Sequence, residues 1–226
     1  MKTQKHIKDE IAYLRELVTP QKADLVQKVV SSRTRHITVA LEDVYQPHNA
    51  SAILRSCEIF GVQDVHIIEQ KNRFAPANNI SMGAGKKLNL HQHKTVDDAY
   101  LQLKKEGYLI AATSLTEKSV SLYDLPIDQK IALVFGTERI GISPAAQQGA
   151  DLFVAIPMYG FTQSFNVSVS VALCLQSLIL RLQQSTIDWK LSAEEQDLLT
   201  QMFLRQALNI PLNAPAIIPP EVQKTL

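Results

Sequence analysis

The sequence is short of cysteine, of long apolar runs and of net charge, and each shortage excludes a class of protein. Its 226 residues include only two cysteines, Cys57 and Cys174, far apart and each in an apolar setting. Two such thiols make neither a disulfide framework nor a metal cluster, and they fit a reducing cytosol. No set of His, Cys and carboxylate residues has metal-ligand spacing, and His91 and His93 in HQH read as surface or strand residues. The opening MKTQKHIKDE has no apolar core of the sort a secretory signal requires. The most apolar run, VSVSVALCLQSLIL, is interrupted by Ser and Gln and is too short to span a bilayer. No G-x-G-x-x-G follows a strand and no G-x-x-x-x-G-K-[ST] is present, which disfavours a dinucleotide dehydrogenase and a P-loop enzyme. SMGAGKK has the wrong glycine spacing for either and reads as a loop or helix start. No internal repeat is visible. These absences leave a soluble, cytoplasmic chain with no membrane partner as the expectation.

What is present is the composition of a globular domain, 46% apolar and 20% charged, on a chain long enough to bury a sizeable core. The net charge of +1 hides local excesses. Residues 1–36 carry eight Lys and Arg against four acids, and residues 70–96 carry five against none. Two basic segments on a near-neutral chain suit a polyanion as well as they suit solvated surface. Arg33, Arg35, Arg73, Lys86 and Lys87 are the candidates for contact with RNA.

Short β-branched runs alternate with helical patterns. HITVALEDV reads as a strand, and residues 49–60 as a helix stopped by Gly61. VHIIE, YLIAAT, KIALVFG and LFVAIP read as further strands, the middle two apolar enough to be buried on both faces. TVDDAYLQLKKEG reads as a helix with Thr95 and Asp98 in capping spacing. Val167–Gln184 reads as a helix apolar nearly all round, which implies packing on several sides. LSAEEQDLLTQMFLRQAL follows, with Ser192 and Glu195 spaced as a capping box, and a Pro-rich tail closes the sequence. Alternating strands and helices predict an α/β fold, a mostly parallel sheet with helices on both faces. The boundaries expected are a basic helical extension at 1–36, the α/β domain at 37–184, and a helix with its tail at 185–226.

Polar residues gather where strands end. NASAILR holds Asn49 and Arg55 almost alone among small and apolar residues; LVFGTERIGIS places Glu138 between glycines; IPMYGFTQSFNVSVS places Ser164 and Asn166 before the apolar helix. Singly, Ser164 and Asn166 suit helix capping and Glu138 suits a surface carboxylate. Together, in this order and spacing, the three segments resemble the motifs of the SpoU-type branch of the SPOUT RNA methyltransferases, over roughly residues 36–184. The basic N-terminal segment, and a C-terminal helical extension that begins near a Trp in IDWKLSAEEQ, are most similar to the TrmH group. The resemblance implies methylation of a ribose 2′-hydroxyl, that of guanosine 18 in the tRNA D-loop, with S-adenosylmethionine as donor. It also implies a homodimer, a Rossmann-like sheet with a deep trefoil knot at its C-terminal end, and no metal, since a sulfonium already makes methyl transfer favourable.

By the same resemblance, Arg55 lies next to the reacting hydroxyl, and Asn49, Glu138, Ser164 and Asn166 orient the site. Thr113, Gly136, Ile156, Met158 and Phe165 would line the donor cleft, largely through backbone groups, with Gly136 letting the backbone approach the ligand. Phe165 stands where the family has Leu, a larger side chain beside the adenine end. A ribose hydroxyl is a weak nucleophile and needs alignment and help with its proton. Two roles for Arg55 stand open: accepting that proton, which a guanidinium does not ordinarily do, or gripping phosphate while the proton leaves otherwise. Six residues turn a helix by about 240°, so Asn49 and Arg55 cannot share a face; Asn49 is expected to act from the cap or loop, holding Arg55 in place. Two alternatives stand beside this reading: a ribosomal-RNA ribose methyltransferase of the same family, and a non-catalytic RNA-binding protein on the same scaffold.

Overall fold

The computed structural model describes residues 4–77, 83–137 and 140–217. The chain divides into two units, Thr34–Trp189 and the two ends together, up to Arg33 and from Lys190 onward. The terminal segments, separate in sequence, are thus one body.

In the larger unit, strands β1 (Ile37–Glu42), β2 (Asp64–Ile68), β3 (Asn89–His93), β4 (Leu109–Thr113), β5 (Val120–Ser121), β6 (Ile131–Phe135) and β7 (Leu152–Ala155) form one sheet. Their order is β3-β2-β1-β6-β4-β7-β5, and every neighbouring pair is parallel. The five strands expected from apolar runs are all present. β3 and β5 carry weaker signals, because NLHQH has a polar, half-exposed pattern on the sheet edge and VS is only two residues long.

Helices cover both faces. On one, Val39, Leu41, Leu133 and Phe135 pack against Ile53, Leu54 and Cys57 of α3 (Pro47–Ile59). The same core takes in Val171, Leu175, Leu178 and Leu182 of the long helix Val167–Gln183. On the other face, Ala40, Ala132 and Val134 meet Val96, Ala99, Tyr100 and Leu103 of α4 (Val96–Lys105) and Ala146 of α5 (Pro144–Gly149). Each fully buried Leu, Ile or Val here contributes roughly 1.5–3 kcal/mol. Local signals set the helix limits. Thr95 Oγ1 accepts the Asp98 N–H at 3.1 Å, and Gly61 and Gly107 follow α3 and α4 at φ 78° and 83°, where a side chain would be strained.

The long helix, α6 (Val167–Gln183), corrects one expectation. It buries Val171, Cys174, Leu175, Leu178 and Leu182, but leaves Val169, Leu173, Gln176 and Leu180 as an exposed stripe at helical spacing. Apolar on both sides, it is covered within this chain on one.

In the terminal unit, α1 (Gln4–Leu17), α2 (Pro20–Val30) and α7 (Ala193–Ala207) share a core of Ile7, Ile11, Leu14, Val26, Val30, Phe203 and Leu204. The Ser192 and Glu195 capping box forms as expected. Inside this unit Arg205 and Glu10 are buried together. Arg205 Nε donates to Glu10 Oε1 at 2.7 Å, and its other nitrogens donate to the carbonyls of Pro211, Ala214 and Pro215 at 3.0, 3.0 and 2.8 Å. One guanidinium thereby fixes the Pro-rich tail to two helices.

Candidate active site

The carboxyl ends of β1, β4, β6 and β7 open into two adjoining cavities, the place where parallel sheets hold ligands. The first, about 250 Å³, is lined by Thr113, Gly136, Ile156, Met158, Ser164 and Phe165, among others. All five residues expected around the donor are therefore brought together, with Ser164 beside them. Thr113 Oγ1 donates to Val134 O at 2.9 Å, which fixes the hydroxyl against β6. Gly136 has a different reason from the expected one. A Cβ there would fall 2.0 Å from Gly141 O, and Thr137 and Gly141 exchange backbone bonds of 3.0 and 2.8 Å. The Gly141 backbone thus leaves no room for a side chain at Gly136.

The second cavity, about 410 Å³, is lined by Asp43, Tyr45, Gln46, Asn49 and Asn72, and shares Thr137, Ile140 and Val167 with the first. Asn49 lies in the first turn of α3, three residues after the N-cap Gln46, and not in a loop. Its amide donates to Gln46 Oε1 at 2.8 Å and accepts from Asn166 Nδ2 at 3.1 Å. Asn166 is the N-cap of α6, its Oδ1 accepting the backbone N–H groups of Ser168 and Val169 at 2.9 and 3.4 Å. The capping role and the place in the site are therefore one: the residue that starts α6 also ties it to α3.

Arg55 is exposed, lines neither cavity, and among the described residues its guanidinium has no hydrogen-bond or ion-pair partner. Asn49 does not hold it. Glu138 lies outside the described residues. Of the basic candidates, Arg73, Lys86 and Lys87 are exposed, the lysines on a short turn, Ala84–Lys87, entered by Gly83 at φ 76°. Arg33 is withdrawn from that set: it is fully buried with its guanidinium 5.6 Å from the Phe203 ring centre. Arg35 is half-buried, its Nε donating to Asp64 Oδ2 at 2.5 Å.

Two site residues carry signals not read in the sequence. Asp43 follows β1 at φ 53°, and its Oδ1 accepts the N–H groups of Gln70, Lys71 and Asn72 at 2.9, 2.9 and 3.1 Å. Glu42, buried beside it, accepts from Gln70 Nε2 at 2.9 Å and Ser143 N at 2.8 Å. An Asp directly after a strand, tolerant of positive φ and able to bond a turn, is the cue.

A separate polar seam crosses β2 and β3. The His66 ring stacks on His91 and His93 at 4.7 and 5.2 Å, and its Nδ1 meets His93 Nε2 at 3.0 Å. Burial, then the charges of His91 and His93, push His66 down to about 3. The bond from His91 Nε2 to Asp64 Oδ1 at 2.8 Å raises His91. Burial alone would raise Asp64, but the bonds from His91 and Asn89 and the charge of Arg35 hold it below the usual carboxylate value. The seam lines neither cavity.

The model of the SpoU rRNA Methylase family matches residues 36–176. A tRNA (guanosine(18)-2′-O)-methyltransferase of Borreliella burgdorferi is 43% identical over 198 residues, 88% of this chain and 91% of that protein. The enzyme of the same name from Thermus thermophilus is 36% identical over 66% of this chain and 77% of its own. Among solved structures, the A. aeolicus TrmH/SpoU tRNA modifying enzyme superposes with a TM-score of 0.73 and 27% identity, covering 83% of this chain and 97% of that one.

Proposed function

The chain belongs to the SpoU methylase family, and from that premise we propose that it methylates the ribose 2′-hydroxyl of guanosine 18 in tRNA, with S-adenosylmethionine as donor. The match to a guanosine-18 methyltransferase over nearly the whole of both chains supports this substrate best. The first cavity fits the donor chemically. Its walls join apolar side chains, Ile142, Val154, Ile156 and Met158, to backbone groups at the ends of β4, β6 and β7, the mixture a nucleoside with a charged tail requires. Bound there, the donor supplies an electrophilic methyl group.

The chain supplies alignment. Asn166 and Asn49 lock α6 to α3 at the seam between the cavities, so a nucleoside in one meets a donor in the other at a fixed distance. Arg55, exposed and with no partner among the described residues, meets a phosphate or the reacting hydroxyl of RNA. Ser164, beside the donor, and Glu138 complete the set. A second copy of the chain covers the exposed Val169, Leu173 and Leu180 stripe, since an apolar helix face of this kind marks an interaction site. Sedimentation giving a dimer at micromolar concentration checks that part; a monomer contradicts it.

The function is tested by incubating the protein with labelled donor and total cellular RNA and mapping the modified nucleotide. Label at the ribose of position 18 of tRNA is expected. Label confined to ribosomal RNA, or none, overturns the reading.

A further inference from the structure

The orientation of a side-chain amide is ordinarily ambiguous, but a relay of bonds fixes three of them here. Backbone N–H groups only donate, so the oxygen of Asn166 must face Ser168 and Val169. Its nitrogen therefore donates to Asn49 Oδ1. That leaves Asn49 Nδ2 to donate to Gln46 Oε1. The relay ends with Gln46 Nε2, a donor without a protein partner among the described residues, on a side chain that lines the second cavity.

Beside it stands an acceptor. Asp43 Oδ1 is held by the three backbone N–H groups of residues 70–72, while Oδ2 has no partner among the described residues. Asp43 also lines the second cavity, and holds a positive φ that few side-chain residues other than Asp and Asn adopt. A fixed carboxylate at that wall repels phosphate and suits N–H donors. Guanine alone among the four bases presents an oxo acceptor followed by two adjacent donors, N1–H and the 2-amino group. Gln46 Nε2 matches the O6 atom, and Asp43 Oδ2 matches the two donors. Adenine has no oxo group and would leave both protein groups poorly paired. Tyr45, half-exposed on the same wall, offers a ring face for stacking. The residues shared with the donor cavity put a ribose attached to such a base at the junction of the two.

Resting on the ribose-methylation reading above, we infer that the second cavity takes the target base out of the stack, and that Asp43 and Gln46 select guanine there. The test uses the full chain and two tRNA transcripts, with guanosine or adenosine at the target position, and measures kcat/KM for each together with S-adenosylmethionine affinity. Gln46→Glu keeps the acceptor for Asn49 and turns the donor into an acceptor facing O6. It is expected to lower guanosine kcat/KM at least about tenfold and leave donor affinity within about twofold, since a donor facing O6 is replaced by a charged acceptor. Asp43→Asn keeps an oxygen for the 70–72 turn and is expected to reduce the preference for guanosine over adenosine at least about tenfold. Should Asp43→Asn fail to fold, Gln46→Glu decides alone, because Gln46 is exposed and makes no helix-cap bond. Variants that are active and keep the wild-type preference within about threefold overturn the inference and leave the function standing. Wild-type protein that methylates neither transcript overturns the function and the inference together.

Discussion

Arg205 and Arg55 show two opposite uses of the same side chain. In the terminal unit Arg205 is buried, and its donors go to Glu10 and to tail carbonyls. In the larger unit Arg55 is exposed, and among the described residues its guanidinium has no partner. A buried charge is tolerable only when the protein itself satisfies it. A functional charge must keep its bonding capacity for a ligand. Burial therefore sorts the charged residues of this protein: Arg33, Glu10 and Glu42 are buried as Arg205 is, whereas Arg73, Lys86 and Lys87 are exposed as Arg55 is.

That contrast can be broken by exchange of losses. Arg205→Ala leaves Glu10 buried without its cation and releases the tail carbonyls, and is expected to cost about 3–5 kcal/mol of stability. Urea unfolding followed by circular dichroism measures it, and a change below about 1 kcal/mol would show that the clamp contributes little. Arg55→Ala should do the reverse, leaving unfolding and donor affinity unchanged and lowering single-turnover rate at least about a hundredfold, or roughly 2.7 kcal/mol. Rates within about threefold of wild type would remove Arg55 from the site. Arg55→Lys separates its two roles, since a phosphate grip recovers part of the rate with a lysine and a specific guanidinium role does not.

The remaining substitutions have smaller effects. Neutralising Arg73, Lys86 and Lys87 together should weaken tRNA binding and reduce its salt dependence, with donor affinity unaffected; unchanged tRNA affinity in a filter-binding titration would contradict it. Asn166→Ala sits on the boundary between the two uses, since Asn166 caps α6 and is also a proposed site residue. About 1 kcal/mol of stability is expected to go with the cap, along with a fall in turnover as Asn49 loses its donor. Loss of stability with turnover intact would assign Asn166 to the cap alone. The histidine seam gives the mildest effect. His66 is depressed to about 3, so its contribution is fully present above about pH 6.5 and is lost as pH falls through that window toward 3. His91 is raised, so its contribution is present below about 6.5 and lost as pH rises through its folded value. Wild-type stability should therefore drop more between pH 7 and pH 5 than that of His66→Phe; equal drops would rule His66 out as the cause.

Much of this protein was determined by local sequence. The buried strands of the parallel sheet were legible as continuous apolar runs, because a strand covered on both faces has no polar side to show. Thr95, Ser192 and Asn166 were legible as caps, because a cap bonds within three residues of itself. Thr113, Gly136, Ile156, Met158 and Phe165 were named together only by the family resemblance, and the fold brings all five to one cavity at the strand ends. Tertiary structure alone decided the rest, wherever the partner is distant in the chain. The sequence shows Arg205, Arg33 and Arg55 as equivalent cations; only folding brings Glu10 to the first and Phe203 to the second, and leaves the third to solvent. It shows Asn49 and Asn166 as two amides 117 positions apart. Their bond, and the orientation it passes to Gln46, exist only because the sheet sets α3 beside α6.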